Sequence, residues 1–244
     1  MIKQIFTLPS KTDFSEPYVR IRSQFLAYGP NNDFLRFYEM DDGTLFSVMG
    51  DLAVLDAHED ACLSEFCLFV SMSHEICQIH TTVPAAKNIE QFLKCRVERR
   101  HILRKNAHFD VFRTAQSVSI QPTYTLLKGI FGEDLPPFDT WYVDVSHRVR
   151  HGCLHLVGFE KQNRTISSAM TVAETENEWI IGAVATSEDC QHQGLGSGCV
   201  LTLAKMGIEA KKIVLISPKN EYADKLYRSI GFEDFGEWAL CKLS

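Results

Sequence analysis

The chain has 244 residues, 45% of them hydrophobic and 23% charged, with a formal net charge of −6. That is ordinary globular composition with enough length for one large domain or two small ones. No apolar stretch approaches the roughly 18 residues of a membrane helix, and the acidic balance argues against general nucleic-acid binding, which neutralises many phosphates.

The opening "MIKQIFTLPSKTDF" has too short an apolar core for a secretory signal, so a cytoplasmic protein is expected. In the first half, "FLRFYEM" and "TLFSVMG" flank "DDG" as a hairpin, and "LAVL" follows as a third strand. "DACLSEFCLFVSMS" reads as a helix and "EICQIHTT" as a strand. The basic run "KCRVERRHILRK" (94–105) interleaves Cys95, Val97, Ile102 and Leu103. It reads as the solvated face of an amphipathic segment rather than a nucleic-acid patch. The eight cysteines, at 62, 67, 77, 95, 153, 190, 199 and 241, form no CxxC pair and sit near no histidine cluster at zinc spacing. They are expected to be reduced thiols with no metal site. The polar stretch "RTAQSVSIQP" (113–122) marks an expected boundary between domains 1–116 and 117–244.

The second half is easier to read. "PTYTLLKGIFG" (122–132) predicts a short helix ending at Gly132, broken by the prolines of "EDLPPF". "DTWYVDVSHRVRHG" (139–152) spaces Trp141, Val145 and Val149 four apart, with Asp139 to cap the start and Gly152 to suit the end. "CLHLVGFEK", "TISSAMTVAET" and "EWIIGAVATS" predict three strands. After the glycines of "CQHQGLGSGC" comes a helix from about Ser197 to Ala210, with Val200, Leu203, Ala204 and Ile208 at helical spacing. "KIVLIS" is a fully apolar strand, "NEYADKLYRSIG" a helix stopped by Gly231, and "GEWALCKL" a closing strand. The first half repeats part of this rhythm: strand, strand, strand, helix, strand.

The glycine loop admits two readings. Gly194 and Gly196 allow backbone amides to approach a phosphate at the start of a helix whose dipole favours an anion. A bare strand-to-helix turn can carry the same glycines. The loop lacks the Lys-Ser/Thr of a P-loop and the GxGxxG of dinucleotide folds.

"VATSEDCQHQGLGSG" followed by "VLISPKNEYADKLYRSIGF" resembles the GNAT superfamily of acetyl-CoA-dependent N-acyltransferases. Gln191, Gly194 and Gly196 satisfy that family's loop pattern [Q/R]-x-x-G-x-[G/A]. Val214–Ser217, Asn220, Tyr227 and Gly231-Phe232 occupy the places of its second signature. The resemblance covers 139–244 well and the first half only in rhythm, as a degenerate repeat. It implies an α/β (α+β) fold, with a mixed, mostly antiparallel sheet flanked by helices and two tandem halves. It also implies that Gln191, His192, Gln193, Gly194, Leu195, Gly196 and Ser197 hold the pyrophosphate of coenzyme A. Val184, Ala185 and Thr186 would bond the pantetheine arm through their backbone. Where the family often has Arg or Gly at the first two loop positions, this chain has Gln191 and His192. That removes a charge contact and leaves the amide cradle.

For the chemistry, the resemblance places Tyr227 beside the sulfur as the acid that protonates the leaving thiolate. Beside it stands a packing role, since Tyr227 follows Leu226 and lies one turn past Ala223. Glu178, at the start of the fourth strand, is the first candidate base. Glu174, Glu176 and a chain of waters are alternatives. Asn220 can contact the cofactor, cap the helix that follows, or both. Arg148 and Arg150 read as a solvated helix face, and Cys190 and Cys199 as packing.

The expected activity is acetyl transfer from acetyl-CoA, a cosubstrate, to a primary amine of a small molecule or peptide. No metal, nucleic acid or membrane is involved, and the first half would shape the cleft or a homodimer surface. Two alternatives are a catalytically weak acyl-CoA sensor and another acyl or aminoacyl transfer on tandem GNAT-like halves.

Overall fold

A computed structural model of the chain describes residues 1–11, 13–106 and 109–243. The chain divides into two compact units, Met1–Ile102 with Gly236–Ser244, and Leu103–Phe235.

The first unit holds β1 (Ile2–Gln4), α1 (Glu16–Tyr28), β2 (Leu35–Met40), β3 (Leu45–Met49), β4 (Leu52–Asp56), α2 (Ser64–Met72), β5 (Gln78–Thr81), α3 (Val83–Ile89) and the first part of β6 (Cys95–Lys105). Neighbouring strands from β1 to β4 are antiparallel, and β4 and β5, joined through α2, are parallel. Residues 239–242 then pair antiparallel with β5. Alternation along the strands sends Phe46 and Leu55 to a cluster with Phe66 of α2, and Leu45 and Val54 to another with Ile21 of α1. The expected hairpin, third strand, helix and strand are all present. The basic run at 94–105 is a strand, with Ile102, Leu103 and Lys105 buried.

Helix α1 was not expected. Its segment "EPYVRIRSQFLAY" alternates Val19, Arg20, Ile21 and Arg22 like a strand, but Pro17 suits a helix start and Val19 and Ile21 are both buried. Glu16, at its first turn, is buried with its carboxylate on two partners. Arg20 donates from Nε at 2.6 Å, and the His80 ring nitrogen Nε2 makes a short contact to the other oxygen. The Trp238 ring stacks on His80 at 3.8 Å between centroids. Burial pushes the Glu16 carboxyl up, but the charge of Arg20, together with His80, overcomes it and holds the group at about 2.

The second unit contains β7 (Gln116–Ser117), α4 (Ile120–Phe131), α5 (Phe138–Arg150), β8 (Leu156–Lys161), β9 (Arg164–Glu174), β10 (Glu178–Thr186), α6 (Leu195–Glu209), β11 (Ile213–Ile216), α7 (Glu221–Ser229) and the start of β12 (Phe232–Leu243). β7 through β10 run antiparallel, β10 and β11 are parallel, and Leu103–Lys105 of β6 pair antiparallel with β11. Val200, Leu203 and Ala204 of α6 pack on one face of this sheet, against Val157, Ala169 and Ile181. Leu127 of α4 with Trp141 and Val145 of α5 packs among Leu156, Met170 and Ala185.

The expected elements follow in the expected order with shifted ends, β7 is an addition ahead of α4, and the expected closing strand from Gly236 lies in the first unit. α4 begins at Ile120, and α5 is capped by Pro137, leaving Asp139 inside its first turn. α6 begins at Leu195, two residues before Ser197, because Gly194 takes a left-handed conformation and ends the loop there. The division expected after residue 116 falls inside the second unit, between the two residues of β7. The turn-rich composition there marks a loop crossing α6, where the Ala115 amide donates to Thr202 Oγ1 at 2.9 Å. All eight cysteines are free thiols. No helix among the described residues is long and apolar enough to cross a membrane.

Candidate active site

The second unit contains a cavity of about 1380 Å³, made by an interruption of its sheet. β10 pairs with β11 from Glu178↔Ile213 to Ile181↔Ile216, and among the described residues no pairing between them follows. On its other side, β10 shifts register against β9 between Gly182 and Ala185, where Ala183 adopts φ 48°. A non-glycine residue at positive φ is uncommon and marks a bulge held by its surroundings. Just past the last β11 pair, residues 182–186 all line the cavity.

The strand continues into the loop. The Ser187 amide donates to the Ile166 carbonyl at 2.9 Å, and Glu188–Cys190 form a short 3-10 turn with Cys190 buried. Gln191, His192, Gly194, Leu195, Gly196 and Ser197 line the cavity; Gln193 does not. No side chain caps α6, so its first amides are free of a side-chain acceptor. With the positive end of the helix dipole, they suit an anion. The three glycines have separate reasons. Gly194 has φ +75°, Gly196 faces the cavity with room for a Cβ only 3.2 Å from Thr186 Oγ1, and Gly198 packs against the Arg113 backbone. The Gly196 position is a cradle that a side chain would begin to fill, and it fits close approach by a phosphate.

Below the loop, Ser167 Oγ donates to the Ala185 carbonyl at 3.1 Å and lies 2.9 Å from Thr186 Oγ1 and 3.6 Å from Cys199 Sγ. Burial pushes the Cys199 thiol up to about 11, consistent with packing rather than nucleophilic use.

Across the cavity, Asn220 caps α7, its Oδ1 accepting from the Ala223 amide at 2.9 Å, and also lines the cavity. Tyr227, 6% exposed, belongs to the core beside α6 and at the same time lines the cavity. Its hydroxyl has no hydrogen-bond partner among the described residues. Burial pushes the phenol up to about 12, so it stays protonated at neutral pH. The far end of α7 is fixed by buried Lys105, whose Nζ donates to the Ile230 carbonyl at 2.7 Å. Arg228 forks onto Asp234 at 2.7 and 3.0 Å.

Glu178 does not join this assembly. It opens β10, four residues and about 13 Å before Gly182. Its carboxylate accepts a short hydrogen bond from Thr175 Oγ1. Glu174 is buried against His155 Nδ1 at 2.7 Å, and neither it nor Glu176 lines the cavity. Arg148 donates to the Val172 carbonyl at 3.0 Å and Arg150 to the Ser146 carbonyl at 3.1 Å, both away from the cavity. The carboxylates that do line it are Glu188 and Asp189 of the loop.

Three contributions were not read from the sequence. α4 lends Leu126, Ile130 and Phe131, a four-residue spacing visible in hindsight. Lys219 reaches Asp134 at 2.7 Å and lies 5.6 Å from the Phe131 ring centre. Arg164 stands on the β8–β9 turn.

The model of the Acetyltransferase (GNAT) family matches residues 120–232, a span that contains every residue lining the cavity. Residues 120–232 belong to the GNAT family. Solved GNAT structures resemble the chain over most of its length. An acetyltransferase of the GNAT family from Colwellia psychrerythraea is 10% identical with TM-score 0.57, each chain covered completely. A GCN5-related N-acetyltransferase from Sphaerobacter thermophilus is 14% identical with TM-score 0.58, over 86% of this chain and 81% of that one. A tandem GNAT protein from the clavulanic acid biosynthesis pathway is 9% identical with TM-score 0.54, over 91% and 86%. At these identities the likeness is one of fold. No curated protein matches the chain by sequence.

Proposed function

We propose that this GNAT domain is an N-acetyltransferase that passes an acetyl group from acetyl-CoA to a primary amine on a small molecule or peptide. The observation that carries the reading is the parting of β10 and β11 beyond Ile181 and Ile216. It lies between the open N-terminus of α6 and the unpartnered hydroxyl of Tyr227. The loop amides of 191–197 would hold the phosphates, and the backbone of Val184–Thr186, beside the bulge, the amide-bearing arm.

An amine with pKa near ~10.4 loses about 4–5 kcal/mol in freeing its lone pair at neutral pH. No carboxylate of the Glu174–Glu178 group lines the cavity, so the proton leaves through water rather than to Glu178. The amine nitrogen then bonds to the acyl carbon as the carbon–sulfur bond breaks, and the thiolate takes the Tyr227 proton. With the phenol at about 12 and a thiol near ~8.5, that transfer is uphill by roughly 5 kcal/mol. It therefore accompanies bond cleavage instead of preceding it, and the second proton, lost by the nitrogen as the amide forms, restores the phenol.

The second reading, an acyl-CoA-binding sensor with weak catalysis, is favoured by the distance of Glu178 from the cavity. Thermal unfolding with acetyl-CoA and with coenzyme A tests both. Binding at 100 times Kd adds about 2.7 kcal/mol of stability, and no shift at millimolar ligand overturns both readings. Release of free thiol over a panel of amines then establishes the enzyme; binding without release establishes the sensor.

A further inference from the structure

The loop that would meet the phosphates carries no cation of its own. From Ser187 to Ser197 it reads "SEDCQHQGLGS", with Glu188 and Asp189 but neither Lys nor Arg. The diphosphate of coenzyme A brings about two negative charges and its 3′-phosphate about −1.5 to −2 more, against roughly half a positive charge at the start of α6. Two carboxylates on the approach make that balance worse. Of the Lys and Arg residues lining the cavity, Lys219 is engaged by Asp134 at 2.7 Å. The other is Arg164, which is exposed and has no ion pair within 4 Å among the described residues.

Arg164 is also well placed and firmly held. β9 pairs with β10 up to Ser167↔Thr186, so the residues before Ser167 run on beside the start of the loop. The bond from the Ser187 amide to the Ile166 carbonyl, 2.9 Å, fastens the two together. The hairpin that presents Arg164 closes on the pair Lys161↔Arg164, with Gln162 and Asn163 both at positive φ, 52° and 60°. That is the two-residue turn whose twist suits a hairpin, a stiff mount rather than a long loop. Asp189, whose carboxyl is held low first by a hydrogen bond from the Ser187 hydroxyl, also feels the Arg164 charge, which places the guanidinium within electrostatic reach of the loop.

We infer that Arg164, from the neighbouring hairpin, supplies the cofactor's phosphates with the cationic contact that the loop between β10 and α6 lacks. This rests on the proposed use of coenzyme A. A guanidinium fork matches two phosphate oxygens at once, which an ammonium does not.

Titration calorimetry on the full chain, with coenzyme A and with 3′-dephospho-coenzyme A, tests it in the native protein, Arg164→Gln and Arg164→Lys. Arg164→Gln is expected to weaken coenzyme A binding about tenfold, the size of one charge-assisted contact. Arg164→Lys recovers part of the loss, and both variants melt with the native protein. If the loss is confined to coenzyme A, Arg164 meets the 3′-phosphate; if both ligands weaken alike, it meets the diphosphate. Either result upholds the contact. Native binding of coenzyme A that Arg164→Gln leaves within twofold overturns it while leaving the proposed function standing. Failure of the native protein to bind either ligand overturns both.

Discussion

A Cβ on Gly198 would stand 2.7 Å from the carbonyl oxygen of Arg113. The helix carrying the loop is thus pressed against the backbone of the segment that crosses it, and the Gly198 carbonyl accepts from Thr202 Oγ1 at 2.7 Å directly beneath.

Gly198→Ala is therefore expected to destabilise the protein by about 1–3 kcal/mol, the usual result of overpacking. Gly196→Ala stands in contrast. Its Cβ meets a hydroxyl at 3.2 Å and a Val184 methyl at an ordinary 4.0 Å, so the melting temperature moves little while coenzyme A affinity falls. Calorimetric melting and ligand titration on the two variants separate these effects; equal destabilisation by both would refute the assignment.

Tyr227→Phe removes a hydroxyl that no described residue bonds. Turnover should fall by on the order of 100-fold while coenzyme A affinity stays within about twofold. The folded phenol sits at about 12, above its unfolded value near 10. Its contribution to stability is complete below pH ~10 and is lost as pH rises toward ~12. The difference in unfolding free energy between native protein and Tyr227→Phe should shrink over that interval. Loss of binding and turnover in equal measure would make Tyr227 structural only.

In the first unit, Glu16→Gln leaves Arg20 without its buried carboxylate partner, which should cost about 3–5 kcal/mol. The native carboxyl titrates at about 2 when folded, against 4.5 as its ordinary value. Its stabilisation is thus present above pH 4.5 and is lost as pH falls from 4.5 toward 2. Denaturant titrations from pH 7 to pH 2 should show this acid limb in the native protein and a flatter one in Glu16→Gln. Parallel pH profiles for the two proteins would contradict the ionised, buried carboxylate.

The second unit was legible because its signals are local and agree with one another. Glycines sit where a helix starts, apolar residues recur along α6, and Asn220 caps α7. Glu178 falls outside the cavity lining; alternation places a side chain on a face and says nothing about position along the strand. The sheet opens only after Ile181. α1 escaped notice because its buried residues alternate with arginines in a pattern that periodicity assigns to a strand. Arg164 could not be found at all from the sequence, since its nearness to the loop depends on the register of β9 against β10 and on a turn with two residues at positive φ.

The path of the chain also constrains how the protein can be made. Residues 239–242, which follow the whole second unit, complete the first unit's sheet beside β5, and Trp238 covers His80. Domains commonly fold as they emerge from the ribosome, the N-terminal one first. Here the first unit cannot be completed in that order. The first unit's sheet gains the strand beside β5, and the ionic cluster its Trp238 cover, only from residues made after the whole second unit.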